Sequence, residues 1–101
     1  MNKEKRLALE NLLNNPGNEK EFYCFLDYTG DMKLNYRDYL ITEPINCDQE
    51  LERVPEADYE LCTALLTMLL REDHFCNGSF IQRCQNGQVD ILLSRMIALL
   101  S

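Results

Sequence analysis

The sequence predicts an all-α fold: a single small helical domain over residues 1–101, of about four to five helices, with an acidic, loop-rich middle. Three observations carry this expectation. Apolar residues recur at three- and four-residue intervals along most of the chain, the period of one helix face. Capping residues and glycines stand where those runs begin and end. Between 42 and 57 the period fails, and Pro44 and Pro55 fall among carboxylates.

Leu9, Leu12 and Leu13 share one face of a first helix over residues 3–14. Asn15-Pro16-Gly17 should end it, because proline lacks an amide donor and glycine accepts left-handed geometry. Asn18 and Glu21 have the spacing of a capping box for a second helix, with Phe22, Phe25 and Leu26 on one face and Gly30 as its C-terminal cap. Phe22, Cys24, Leu26 and Tyr28 also alternate, so a hairpin competes over 21–40. Asn35 to Leu40 reads as a short helical turn opened by Asn35, and 42–57 as a loop with one short turn at most.

From Asp58 the signal sharpens. Asp58 can cap a helix whose first turn holds Glu60, favourably placed for the helix dipole. Leu61, Cys62, Leu65, Met68 and Leu69 form a stripe that Leu66 and Leu70 widen, as expected of the most buried helix. Arg71 to Asn77 should turn the corner, with Arg71 on the helix's last carbonyls and Phe75 plugging the bend. Ser79 or Asn77 would cap a short helix that turns Phe80, Ile81 and Cys84 inward and closes at Asn86-Gly87. Val89, Leu92, Leu93, Met96, Ile97 and Leu100 then mark the last helix. Leu65, Leu69, Leu92, Leu93 and Met96 are the expected centre of the core.

The charge pattern narrows function. The chain carries a net charge of −7, and residues 21–60 hold eleven carboxylates against three basic side chains, a local balance of −8. Nucleic-acid binding needs a basic footprint, so direct binding is not expected. No apolar run approaches the roughly 20 residues that span a bilayer, and the N-terminus is polar, so a cytoplasmic protein is expected, with no membrane partner. Five cysteines cannot all pair within one chain, which points to reduced thiols; Cys24, Cys62 and Cys84 have apolar neighbours and should behave as small hydrophobes.

The segment from Arg71 to Gln88 holds the only histidine and two of the cysteines. Structural zinc sites are built from closely spaced ligand pairs, and Cys47, His74, Cys76 and Cys84 include neither a CxxC nor an HxxxH pair, so neither metal nor cofactor is expected. His74 and Cys76 with Asp73 could form a nucleophile and base only if the turn brought them together, and no oxyanion-hole motif accompanies them. The expectation is therefore a structural corner and no enzyme activity.

The same residues carry a resemblance. Leu61 to Arg71, Phe75-Cys76-Asn77-Gly78, Asn86-Gly87 and Val89 to Leu100 together resemble the C-terminal half of a family of small prokaryotic proteins, a domain of unknown function. Tyr36-Arg37-Asp38-Tyr39 extends the likeness, and His74 stands where that pattern has an arginine before the Phe-Cys. The resemblance implies a fold and transfers no catalytic residue.

What remains for recognition is the acidic middle with its tyrosines Tyr23, Tyr28, Tyr36 and Tyr39. The expected function is a non-enzymatic protein-binding module, an acidic inhibitor of the phage anti-defence type, docking on a basic, nucleic-acid-binding surface of a partner protein. The side chains expected to carry it are Asp27, Asp31, Tyr36, Asp38, Glu43, Asp48, Glu50 and Glu52. Two alternatives stand beside it. One is a helix-turn-helix regulator reading DNA through Ser79–Gln85, with Arg83 as its cation; the other is a small-molecule binder with a pocket between helices. A homodimer is compatible with either.

Overall fold

A computed structural model describes residues 2–14 and 19–100. Six α-helices lie in the described residues: α1 (Asn2–Asn14), α2 (Glu19–Thr29), α3 (Cys47–Leu51), α4 (Tyr59–Phe75), α5 (Ser79–Gln85) and α6 (Gln88–Leu99). Two 3-10 turns, Tyr36–Tyr39 and Val54–Glu56, punctuate the middle, and no strand occurs in the described residues. The fold is all-α. Residues 19–29 are helical, so the hairpin alternative fails there; Gly30 follows with φ 74°, as its capping role requires. The expected breaker Asn15-Pro16-Gly17 and the Asn18 half of the capping box lie outside the described residues.

α4 is the axis. Nine consecutive residues, Cys62 to Leu70, are buried, because α2, α3, α5, α6 and the first 3-10 turn all pack on it. An all-round burial needs its hydroxyls satisfied within the helix. Thr63 Oγ1 donates to the Glu60 carbonyl and Thr67 Oγ1 to the Thr63 carbonyl, both at 2.8 Å. Asp58 caps the helix, its carboxylate accepting from the Leu61 amide at 2.8 Å. α6 lays Val89, Leu92, Leu93 and Met96 against α4 and α1, and α1 contributes Leu9 and Leu12. Phe22 of α2 meets Phe80 of α5 edge-to-face, with ring centres 4.7 Å apart.

Several expectations fail here. α4 runs four residues past Arg71, so Arg71 is not at the helix end and Phe75 is not a plug: Phe75 is 81% exposed. Cys24, expected to pack as a small hydrophobe, is exposed, as is Cys76, while Cys62 is buried and Cys47 and Cys84 are half-buried. Neither Asn77 nor Ser79 caps α5. Gly78 holds the cap position at φ 90°, and the Asp73 carboxylate reaches across from α4 to accept from the Gly78 and Phe80 amides, each at 3.1 Å. Ile81, expected inward, is 47% exposed. The middle is also more ordered than a loop. Asn46 caps α3 by accepting from the Gln49 amide at 3.0 Å, and Pro55 sits at the start of the second 3-10 turn, where its missing amide costs nothing.

Candidate interaction surface

The acidic middle is held together by a buried carboxylate. Glu50 on α3 has no exposed surface, and its two oxygens divide their work. Oε2 accepts from the Ile41 amide (2.9 Å), the Thr42 amide (2.7 Å) and the Thr42 hydroxyl (2.6 Å). Oε1 takes Arg53 Nη1 at 2.8 Å, and the same Nη1 donates to the Tyr39 carbonyl at 2.9 Å. Burial alone would raise the Glu50 carboxyl, but the hydrogen bonds from Thr42 and Arg53 outweigh it and leave the group below its ordinary value. The Thr42 hydroxyl also accepts from the Asn46 amide at 2.9 Å, which closes the loop on itself.

This clamp fixes the backbone of residues 39–46, and the loop shows its apolar side chains to solvent. Ile41 is 72% exposed and Ile45 37%, with Glu43 exposed between them and a cis bond at Glu43–Pro44. Arg37, Leu40 and these residues line an open cavity of about 750 Å³. A second open cavity, of about 450 Å³, also has Arg37 in its wall and is lined by Leu34, Tyr36, Arg71, His74 and Phe75 among others.

The eight residues expected to carry recognition separate into two groups. Glu50 is corrected outright: buried as the loop clamp, it cannot touch a partner. Asp31 is half-buried and serves as a tie, accepting from Lys5 of α1 and from the Tyr59 hydroxyl of α4, both at 3.2 Å. Burial, then the Asp31 charge, pushes the Tyr59 hydroxyl well above its usual value. Tyr36 packs partly against the core. Asp48 is exposed yet bound to Arg83 at 2.8 Å and Gln88 at 3.1 Å, and the Arg83 bond holds it below the usual carboxylate range. Asp27, Asp38, Glu43 and Glu52 remain as exposed carboxylates, with Asp38 accepting a long bond from Asn35 at 3.5 Å.

Arg83 is a hub the sequence did not mark. Nε and Nη2 grip both oxygens of Glu72 at 2.7 Å, and Nη1 reaches Asp48 and, at 2.7 Å, Gln88, so α3, α4, α5 and α6 meet on one guanidinium. The cation of the candidate recognition helix is thereby turned inward. Burial and the neighbouring Glu72 push the Cys47 thiol up to about 12, and burial pushes Cys62 and Cys84 up to about 11, so these thiols are protonated and weakly nucleophilic at neutral pH. Asp73, the orienting group a Cys–His pair would need, is occupied as the α5 cap, and His74 instead meets Phe75 edge-on at 5.1 Å. Among the described residues, no three His, Cys, Asp or Glu side chains converge on one point. No helix of the described residues is long and apolar enough to cross a membrane.

A family model described as a family of unknown function, DUF6508, matches residues 26–101. The chain belongs to that family. The DUF6508 match takes in both 3-10 turns, the clamped loop and everything from α3 to α6, and so reaches well beyond the C-terminal pattern visible in the sequence; α1 and most of α2 lie outside it. No curated protein and no solved structure matches the chain.

Proposed function

We propose that this DUF6508 chain is a non-enzymatic protein-binding module that presents the loop at 39–46, with the exposed carboxylates Asp38 and Glu43 beside and within it, to a basic surface of a partner protein. The observation that carries this is the Glu50–Arg53 clamp. A buried ion pair is a costly device for holding a surface loop, and here it holds Ile41 and Ile45 in water, where their exposure costs stability unless a partner covers them. A preordered loop loses little conformational entropy on docking. The exposed carboxylates supply steering toward a positive surface. Occlusion of a nucleic-acid site on that partner, as an inhibitor of the anti-defence type would achieve, is one outcome such docking has.

The test is affinity capture with tagged protein at low and high salt. Two variants are compared with the parent: a charge reversal (Asp38→Lys, Glu43→Lys) and an apolar deletion (Ile41→Ser, Ile45→Ser). Both alter exposed positions and should stay folded by circular dichroism. The expected result is a salt-sensitive partner lost from both. A partner retained by both variants would refute the proposal.

A further inference from the structure

Six arginines stand in the chain, and four of them are occupied within it. Arg6 faces Glu10, Arg53 holds Glu50, Arg83 grips Glu72 and Asp48, and Arg95 donates to the Ala57 carbonyl at 2.9 Å. Arg37 and Arg71 make no ion pair among the described residues, although carboxylates outnumber cations in the chain. Both are exposed, and both line the same cavity of about 450 Å³. Arg37 comes from the first 3-10 turn, which packs on α4; Arg71 and His74 lie three apart on α4, one turn of the same face.

The carboxylates next to Arg71 are turned elsewhere. Glu72 is taken by Arg83 and Asp73 by the start of α5. The cavity wall therefore holds two guanidiniums and an imidazole without a carboxylate among its described lining residues. Beside them stand two apolar side chains that are almost wholly in water, Leu34 at 85% exposure and Phe75 at 81%. Arginine and phenylalanine at one open site are the composition of an interface centre rather than of a solvated face.

We infer that Arg37, Arg71 and His74, flanked by Leu34 and Phe75, form a second docking surface for an acidic segment of a protein partner, one that carries apolar side chains between its carboxylates. Guanidiniums grip carboxylates with paired donors, and Leu34 and Phe75 take the apolar side chains. A nucleic acid fits the site less well, since its dense charge is repelled by the −7 of the whole chain, whereas a short acidic segment brings few charges. This surface adjoins the clamped loop through Arg37, which lines both cavities, but it takes the opposite charge and does not depend on the loop's role.

The probe is a short fluorescein-labelled peptide of Asp, Glu, Leu and Phe, read by fluorescence anisotropy at low and moderate salt. Control peptides replace the acids by Lys, or Leu and Phe by Ser. The expected result is salt-sensitive binding of the acidic-apolar peptide, weakened roughly tenfold or more by Arg37→Gln with Arg71→Gln, and weakened also by the Ser control. Amide shifts on titration should fall at 34–37 and 71–75. The glutamines keep most of the side-chain stems, and a Leu34→Ser, Phe75→Ser variant gives an independent second loss. No binding, equal binding by the double-Gln variant, equal binding of the Ser control, displacement by inorganic phosphate at low concentration, or tighter binding of a single-stranded oligonucleotide would each overturn the inference.

Discussion

Replacing Glu50 by alanine should destabilise the fold far more than an acidic side chain in a charge-rich segment ordinarily would. The change strands the Ile41 and Thr42 amides, the Thr42 hydroxyl and the Arg53 guanidinium. Each unsatisfied buried donor costs about 1–3 kcal/mol, and breaking a buried ion pair from one side costs about 3–5 kcal/mol. Water can reach part of the loop, since Arg53 is 27% exposed, so these costs overlap and do not sum. The expected loss is about 3–5 kcal/mol, a large part of the roughly 5–15 kcal/mol of a typical domain. Glu50→Gln separates the two oxygens. Its carbonyl can keep the three bonds made to Oε2, while its amide faces Arg53 donor to donor, so about 1–3 kcal/mol is expected. Urea unfolding followed by far-ultraviolet circular dichroism measures both. An alanine variant within about 1 kcal/mol of the parent, or a glutamine variant as costly as alanine, would refute the clamp.

Further outcomes follow from the same packing. With a thiol reagent at neutral pH, Cys24 and Cys76 should react fast and Cys62 only on unfolding; fast labelling of Cys62 would contradict its burial. Glu50, Glu72 and Asp48 all sit below ordinary carboxylate values, mainly through Arg83 for Glu72 and Asp48, so their contribution is present above the unfolded values near pH 4 and is lost as pH falls through the folded ones. Urea midpoints should accordingly be flat from about pH 7 to 5 and drop below about pH 4, less steeply in Glu72→Gln; an unchanged midpoint at low pH would count against these pairs. Gly87 has φ 89° with open space where a Cβ would sit, so Gly87→Val should cost about 1–2 kcal/mol from backbone strain alone and Gly87→Asn less. Leu65→Ala should cost about 2–5 kcal/mol in the same unfolding assay, because its side chain is wholly buried.

The helices that bury a wide apolar stripe were legible in the sequence because period and cap agree there. Asp58, the Cys62–Leu70 run and Val89 to Met96 all stand where spacing puts them. The misread polar residues Glu50 and Arg83 share one cause: their partners lie further along the chain than a local pattern reaches. Glu50 looks like one more solvated carboxylate until the loop eight and nine residues before it folds back. A capping Asn46 three residues before Gln49, and the Glu50–Arg53 spacing, were the local hints of a helix there. Arg83 meets Glu72 and Asp48, eleven and thirty-five residues away, and no local pattern reports such pairs. Phe75 reads as inward only if the helix ends at Arg71, four residues early; Asp73, which caps the next helix from inside this one, is the residue that signals the helix continuing.

The central claim, that the clamped loop is where a partner docks, is tested most directly by photo-crosslinking from the loop itself. Ile41→p-benzoylphenylalanine and Ile45→p-benzoylphenylalanine place the reactive ketone in the loop, and Ile91→p-benzoylphenylalanine, at a 60% exposed position on α6, serves as the control. Illumination in the producing cells should give one salt-sensitive crosslinked protein from positions 41 and 45 and not from 91. Its yield should fall when Asp38 and Glu43 are reversed to lysine. Crosslinks of equal yield from position 91, or none from positions 41 and 45, would contradict the account.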